Sequence, residues 1–503
     1  MLKCTINGKE VQVKPGSTII EAYMKAKENI AHYCWHPGLS IAGVCRMCMV
    51  EIEGNPRLQI ACNTTVAEGM KINNTSVKVK ESVEWTLGFH LINHPLDCPI
   101  CDQAGECGLQ EYYMQYGKYE PGMAEHKVTK DKVVDLGSKI VLDKERCILC
   151  SRCARFTEEV SKTNEFGIFN RGDHSEIGTV DGMPVENNYA LNTVDICPVG
   201  ALTSKDFRFR QRVWYLKDFD TVCNGCSTGC NIKVYFNENG LYRVKPVYNE
   251  KVNGYWMCDV GRDVYKFADR DARQVKGLRN SNNQVSQDFA GKIALEVSQH
   301  LNSQKADSMA VVLTGQYTVE EYKDFVSFFK AKGVSQFYHW INNPDKLNDF
   351  DGILYRGDNN PNTKGLAKTL ADEGIKVKPW NELFENVESS KVKTVVVAGP
   401  EIQKFYPDLE SVFTRLNKAD TLVWLTPGKN DLFEKANYVI PTKSFTEKNG
   451  TFVNHAGVEQ KIKKGVTVVS EALTLSDASQ LFSGKTAVGF ESNVSKGHAG
   501  ATL

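Results

Sequence analysis

The distribution of cysteine constrains this chain more than any other feature. All sixteen cysteines lie within the first 258 of 503 residues, and all but Cys4 fall into four local groups. Met1-Leu-Lys-Cys-Thr-Ile opens directly into folded sequence rather than a signal peptide, so a reducing, cytoplasmic setting is expected, and there such thiols hold metal rather than disulfides.

Cys147, Cys150 and Cys153 stand at three-residue intervals and are completed by Cys197 in Asp195-Ile-Cys-Pro-Val-Gly-Ala201, the ferredoxin spacing for a [4Fe–4S] cubane. No cysteine lies between Phe156 and Val194, so a single cluster is expected there. Cys34, Cys45, Cys48 and Cys62 have ten, two and thirteen residues between them, close to the spacing of a loop wrapped round a [2Fe–2S] rhomb. Four thiolates also suit tetrahedral zinc. The long first interval, carrying Gly38 and Gly43, favours a loop whose amides turn toward sulfide.

His94, Cys98, Cys101 and Cys107 have three, two and five residues between them on a loop bearing Gly and Pro. Three cysteines need a fourth partner, and Cys4 reads as a small buried hydrophobe on the first strand. His94 is favoured, and His90 competes at the cost of a longer reach. A histidine in place of a thiolate makes the site less negative and raises its potential. Cys223, Cys226, Cys230 and Cys258 have two, three and twenty-seven residues between them, with strands Ile232 to Phe236 and Leu241 to Val244 inside the last interval. A cubane on the edge loops of a small β layer is the simplest picture, and a zinc ribbon the alternative.

The remaining sequence sets the frame. Asn7-Gly8 joins two strands between Leu2 and Val13, and Thr18 with Glu21 caps a helix whose apolar stripe is Ile19, Ile20, Tyr23, Ala26 and Ile30. With a strand at Met49 to Glu53, this suits a β-grasp ferredoxin. A helix over Lys80 to Ile92 is stopped at His94-Pro95. Beyond about Asp271, strands Met309 to Leu313, Thr394 to Ala398 and Thr421 to Leu425 alternate with helices, one of them beginning at the Thr318–Glu321 capping box, and predict a doubly wound α/β sheet. It carries no G-x-G-x-x-G or Walker sequence and reads as a scaffold. Lysine plus arginine equals aspartate plus glutamate, and no basic block interleaves with aromatics, so nucleic acid is not an expected partner. No run approaches the roughly 18 apolar residues of a spanning helix, so direct membrane insertion is not expected.

The expected fold class is therefore multidomain α+β and α/β: a [2Fe–2S] ferredoxin-like domain at 1–78, a [4Fe–4S] segment with one histidine and three cysteines at 79–120, a [4Fe–4S] ferredoxin-like domain at 138–215, a fourth cluster domain at 216–272, a scaffold domain at 273–470 and a flexible tail at 484–503.

The four sets in this order resemble one family, the large iron–sulfur subunit, or G subunit, of bacterial NADH:quinone oxidoreductase, respiratory complex I. The resemblance covers about residues 1 to 272 and rests on Val44-Cys-Arg-Met-Cys-Met-Val-Glu-Ile-Glu53, on His94 through Cys107 with its Cys-Pro-Ile-Cys-Asp-Gln core, on Cys147 through Phe156 and on Cys197-Pro-Val-Gly-Ala-Leu202. It implies one [2Fe–2S] cluster on Cys34, Cys45, Cys48 and Cys62, and three [4Fe–4S] clusters, on His94, Cys98, Cys101 and Cys107, on Cys147, Cys150, Cys153 and Cys197, and on Cys223, Cys226, Cys230 and Cys258. The last resembles a cubane present only in some bacterial members, where it lies off the main electron path.

Pro441-Thr-Lys-Ser-Phe-Thr-Glu-Lys-Asn-Gly-Thr-Phe-Val-Asn454, with Gln460, is similar to the late segment of molybdopterin oxidoreductase domains, but the domain is short for that class and no molybdopterin is expected. Ala104, Gly108 and Glu111 depart from the family motif, which commonly has Gly, a bulkier residue and Asp; altered packing is the expected effect. The implied function is single-electron relay, with no catalytic residue on this chain. The implied partners are a flavin-bearing, NADH-oxidising subunit and further iron–sulfur subunits, with the membrane arm reached only indirectly, at the cytoplasmic side of the bacterial inner membrane. The alternatives are an electron-transfer subunit of a soluble NAD-linked hydrogenase or formate dehydrogenase, and a molybdopterin-dependent catalytic subunit.

Overall fold

The computed structural model describes residues 1–118, 120 and 123–485; the expected tail at 484–503 therefore lies, from 486 onward, outside the described residues. The chain divides into two compact units, Met1–Tyr215 and Leu216–Leu503.

The first unit opens with the antiparallel pair β1 (Leu2–Ile6) and β2 (Lys9–Val13). Asn7 and Gly8 between them have φ of 49° and 86°, the two left-handed positions that a two-residue hairpin turn of this type requires. α1 (Ile19–Ala26) starts at the Thr18–Glu21 capping box and buries Ile19, Ile20, Ala22 and Tyr23. β3 (Met49–Ile52), β4 (Gln59–Ile60) and β5 (Met70–Asn73) complete a five-stranded sheet of order β2-β1-β5-β3-β4, with β1 and β5 parallel. Cys4 is buried in this sheet's core beside Ile6 and Ile20.

α2 (Val77–Leu91) buries Val79, Val83 and Leu87 at helical spacing, and α3 (Gly108–Tyr116) packs against it. There follow β6 (Val134–Asp135), β7 (Ile140–Leu142), α4 (Arg152–Glu159), the hairpin β8 (Gly167–Phe169) and β9 (Glu176–Gly178), α5 (Asn192–Ile196) and β10 (Leu202–Ser204). β10, β7 and β6 form an antiparallel sheet, and α4 lies against α5. That packing brings Cys153, in the first turn of α4, to Cys197, the residue that ends α5.

The second unit begins with the meander β11 (Lys217–Val222), β12 (Asn231–Asn237) and β13 (Gly240–Pro246), followed by short helices α6 (Asp259–Arg262) and α7 (Val264–Ala268). Then come β14 (Gly277–Ser281), β15 (Gln284–Asp288), α8 (Ala290–Ser303), β16 (Met309–Leu313), α9 (Val319–Ala331), β17 (Gln336–His339), α10 (Thr363–Asp372) and α11 (Trp380–Glu388). The unit continues through β18 (Thr394–Ala398), α12 (Leu409–Leu416), β19 (Thr421–Thr426), β20 (Tyr438–Pro441), β21 (Gly450–Val453), β22 (Glu459–Ile462) and α13 (Leu475–Phe482).

β17, β16, β18, β19 and β20 are parallel neighbours in that order, and β14 and β15 extend the β20 edge antiparallel. Alternation along buried strands divides the core in two. Met309, Val311 and Leu313 pack with α8, α9 and α13, while Ala310 and Val312 pack with α11 and α12.

Candidate metal centres

Cys34, Cys45 and Cys48 lie on the loop between α1 and β3, and Cys62 on the short turn Ala61–Asn63 after β4; none is more than 4% exposed. The amide of Ala61 donates to the Cys48 carbonyl at 2.8 Å and so closes the fourth cysteine onto the loop. Gly43 and Arg46 have φ of 65° and 55°, a curl that turns amides inward. Tyr33 N donates to Cys45 Sγ at 3.4 Å, and the amides of Val44 and Cys45 point to Cys34. The thiols meet: hydrogen bonds from the Cys45 and Cys62 side chains hold the Cys34 thiol well below its ordinary range, and the same bonds, with burial, push those two up.

The third set is built alike. Leu149 and Ser151, which flank Cys150, have φ of 54° and 61°. Leu149 N donates to Cys147 Sγ at 3.4 Å, and backbone amides of Arg152, Ala154 and Val199 serve Cys150, Cys153 and Cys197. The four cysteines line one cavity, together with apolar side chains that include Ile148 and Ile177. Burial pushes the Cys147 thiol up to about 12 and Cys150 to about 11. Thiols so placed ionise only together with a positive partner, and the amide donors stand ready for the thiolates that a metal cluster requires.

In the second set Cys107 caps α3, Cys101 is buried and Cys98 is exposed. The three thiols interact, and amides of Gln103 and Gln110 point to Cys101 and Cys107. The two candidate histidines part company. His90 hydrogen-bonds the Cys45 carbonyl at 3.1 Å and sets its ring edge-on to Tyr33 at 5.1 Å, so it is engaged with the first loop. His94 is held neutral by burial, which lowers its pKa to about 4, and its Nδ1 is buried with no hydrogen-bond partner among the described residues. A neutral imidazole with an unused buried nitrogen has the chemistry of a metal ligand.

The fourth set joins the end of β11, the start of β12 and Cys258, which caps α6; each cysteine is 5% exposed. Gly225 N donates to Cys223 Sγ at 3.4 Å and Gly261 N to Cys258 Sγ at 3.3 Å. A Cβ at Gly261 would lie 3.2 Å from Cys223 Sγ and 3.5 Å from Cys258 Sγ, so both thiols converge on that glycine. Loops of the large sheet close over the set. Ser227 N donates to the Asp358 carbonyl at 2.8 Å, Asn454 Nδ2 to Thr228 O at 3.2 Å and Gln460 Nε2 to Gly229 O at 2.8 Å. Asn454 and Gln460, which the sequence links to a pterin-type domain, thus clamp a cysteine loop.

Among the described residues no group of three or more His, Cys, Asp or Glu side chains closes on a single-ion point. An iron–sulfur cluster is bonded through several irons rather than at one point, so the fit of these sets to such clusters rests on ligand spacing, burial and inward amides.

The third set adjoins both neighbours within the first unit. Gly108 N donates to the Pro198 carbonyl at 2.8 Å, and Gly200 faces Cys101 Sγ. This backbone bond sets the start of α3 against the Cys197 segment. On the other side, Arg152 and Arg155 of α4 reach the loop that carries Cys34. Sequence reasoning assigned these arginines nothing; the available signal was two cations interleaved with ligands in Ser151-Arg-Cys-Ala-Arg155.

Fold and sites together define a class, a multidomain iron–sulfur protein. The family models described as 2Fe-2S iron-sulfur cluster binding domain, NADH-ubiquinone oxidoreductase-G iron-sulfur binding region and NADH-quinone oxidoreductase subunit 3 ferredoxin-like domain match residues 1–77, 86–121 and 137–203. Molybdopterin oxidoreductase Fe4S4 domain and Molybdopterin oxidoreductase match 216–270 and 245–475.

The NADH-quinone oxidoreductase G subunit of Streptomyces coelicolor is 34% identical over 490 residues, 94% of this chain and 56% of that protein; that of Rickettsia felis is 35% identical over 321 residues, 64% and 47%. The chain belongs to the G-subunit family of NADH-quinone oxidoreductase. It spans about half the length of the curated relatives it matches. A chain of the crystal structure of an NAD+-reducing [NiFe]-hydrogenase in the H2-reduced state is similar over 42% of this chain and 91% of its own, at 27% identity and a TM-score of 0.39, a likeness that carries no argument.

Proposed function

We propose that this chain relays single electrons in NADH:quinone oxidoreductase, from a flavin-bearing, NADH-oxidising subunit toward quinone. The observation that carries the reading is the third thiol set, which shares walls with the first and second in one unit, so that neighbouring centres have separations fixed by packing. Bound clusters would supply the one-electron chemistry.

The chain's own residues hold position and tune charge. Cys34, Cys45, Cys48 and Cys62 would bind [2Fe–2S]; His94 with Cys98, Cys101 and Cys107, Cys147 with Cys150, Cys153 and Cys197, and Cys223 with Cys226, Cys230 and Cys258 would each bind [4Fe–4S]. The inward amides stabilise thiolate and sulfide charge, and burial of the first and fourth sets excludes water there.

Residues 1–78 serve as a β-grasp [2Fe–2S] domain, 79–120 and 138–215 as the next two cluster domains, and 216–272 as the fourth. Residues 273–470 form a shortened molybdopterin-oxidoreductase-like scaffold without the pterin. This is supported by the structural engagement of its singled-out motif: Glu447 pairs with buried Arg273 at 2.6 Å, and Lys448 with buried Glu321 at 2.9 Å. The chain would work as a peripheral-arm subunit on the cytoplasmic side of the inner membrane, beside other iron–sulfur subunits; no described helix is long and apolar enough to cross a membrane.

Metal analysis and low-temperature EPR during stepwise reduction test the reading, with about fourteen irons per chain expected. Zinc with little iron would overturn it. Isolation with a hydrogenase or formate dehydrogenase subunit, in place of a flavin subunit and membrane arm, would reassign the complex.

A further inference from the structure

α4 presents Arg152, Arg155 and Glu159 on one face, at the i, i+3 and i+7 positions of a helix, to the loop that carries Cys34. Arg155 donates to the carbonyls of Cys34 and Ser40, and Glu159 accepts from Ser40 N at 2.8 Å. Arg152 does more than dock. Its Nη1 donates to Ile196 O at 2.9 Å, beside Cys197, and its Nη2 to Trp35 O at 2.6 Å, beside Cys34. Its guanidinium interacts electrostatically with the thiols of Cys150 and Cys197 and also of Cys45. One cation is thus shared by two thiol sets.

We propose that Arg152 is the positioning residue common to the first and third centres, fixing their separation and raising both reduction potentials through its charge. The proposal rests on the cluster reading given above. Each centre gains one negative charge when it takes up an electron, and two buried, adjacent centres repel one another's added charge. A fixed cation between them lowers that repulsion and favours reduction of both. Arginine suits the place because its planar fork satisfies two carbonyls while staying charged; lysine keeps the charge but not the fork.

The test is a redox titration of the iron-loaded protein, with EPR resolving each centre and iron assayed in parallel. Arg152→Gln is expected to lower the reduction equilibrium of the first and third centres about tenfold each, about 59 mV for a one-electron couple, leaving the fourth unchanged. Arg152→Lys is expected to stay within about threefold of the parent, since most of the effect is charge. Unmoved potentials in Arg152→Gln, a shift confined to one centre, or equal shifts in the Gln and Lys proteins would overturn the proposal. Should Arg152→Gln fail to load the two centres, Arg152→Lys decides: loaded centres near the parental potentials support it, and failure there as well overturns it. Lack of iron in the parent protein would instead refute the cluster reading itself.

Discussion

Gly200 faces Cys101 so closely that a Cβ built on the glycine would collide with the cysteine sulfur. The residue three positions after Cys197 therefore forms a wall of the neighbouring thiol set, and the two sites cannot be altered independently there. Gly200→Ala should displace the Cys101 thiol and disable the His94 centre, so that iron falls from about fourteen to about ten per chain while the signal of the fourth centre persists. Iron assay with EPR checks this. At Gly108 the added Cβ would stand 3.4 Å from the Pro198 carbonyl, a tight contact the helix start can ease, so Gly108→Ala should retain the iron that Gly200→Ala loses.

His94 and His90 give a second pair of contrasting outcomes. His94→Ala removes the one of these two imidazoles with an unused buried nitrogen and should abolish or convert the centre on Cys98, Cys101 and Cys107. His94→Cys should restore a four-iron signal at a lower potential, because a thiolate adds negative charge. His90→Ala deletes a hydrogen bond to the Cys45 carbonyl and should cost about 1 kcal/mol of stability with the iron content unchanged. Redox titration and thermal melts of the three proteins distinguish these effects.

Much of this was legible because it is local. Asn7-Gly8, the Thr18–Glu21 and Thr318–Glu321 capping boxes and the buried run Met309 to Leu313 each specify their own element. The cysteine groups likewise mark their own loops. What sequence could not give were destinations across the fold. His90 and His94 lie four residues apart, yet only the packing of α2 against the first loop decides which imidazole is spoken for. Arg152 finds Trp35 117 residues away, and Gln460 finds Gly229 231 residues away. The brief strands β6, β8 and β9, two or three residues each, are too short to carry a period, and it is their place in the unit that forms them.

Breaking the Arg273–Glu447 pair should destabilise the second unit strongly. Both side chains are at most 1% exposed, 2.6 Å apart, and Glu447 also accepts from the amides of Val468 and Val469 at 2.7 Å. Arg273→Met leaves a carboxylate buried without its cation and should cost about 3–5 kcal/mol. Adding Glu447→Gln should recover only part of this, since an amide cannot serve every donor around it. Urea denaturation followed by tryptophan fluorescence measures both losses, and the iron of the first three centres should be retained in native buffer.

Gly229 and Gln460 allow a coupling measurement at the fourth set. Gly229 has a φ of 64°, and a Cβ there would lie 2.8 Å from Gln460 Nε2, the atom that donates to the Gly229 carbonyl. Gly229→Ala therefore meets two obstacles, a left-handed backbone worth about 1 kcal/mol and a collision with the clamp. Gln460→Ala removes the clamp, leaves the carbonyl unpaired at a cost of about 1–3 kcal/mol, and opens the space a methyl group would occupy. Each single change should hasten chelator-driven loss of the fourth centre's iron, whereas the double variant should lose it more slowly than the product of the two effects implies, because the collision disappears once the Gln460 side chain is gone. Strict additivity in the release rates would show that the clamp and the glycine act separately; a shortfall would place them in one contact that holds the Cys226–Cys230 loop closed.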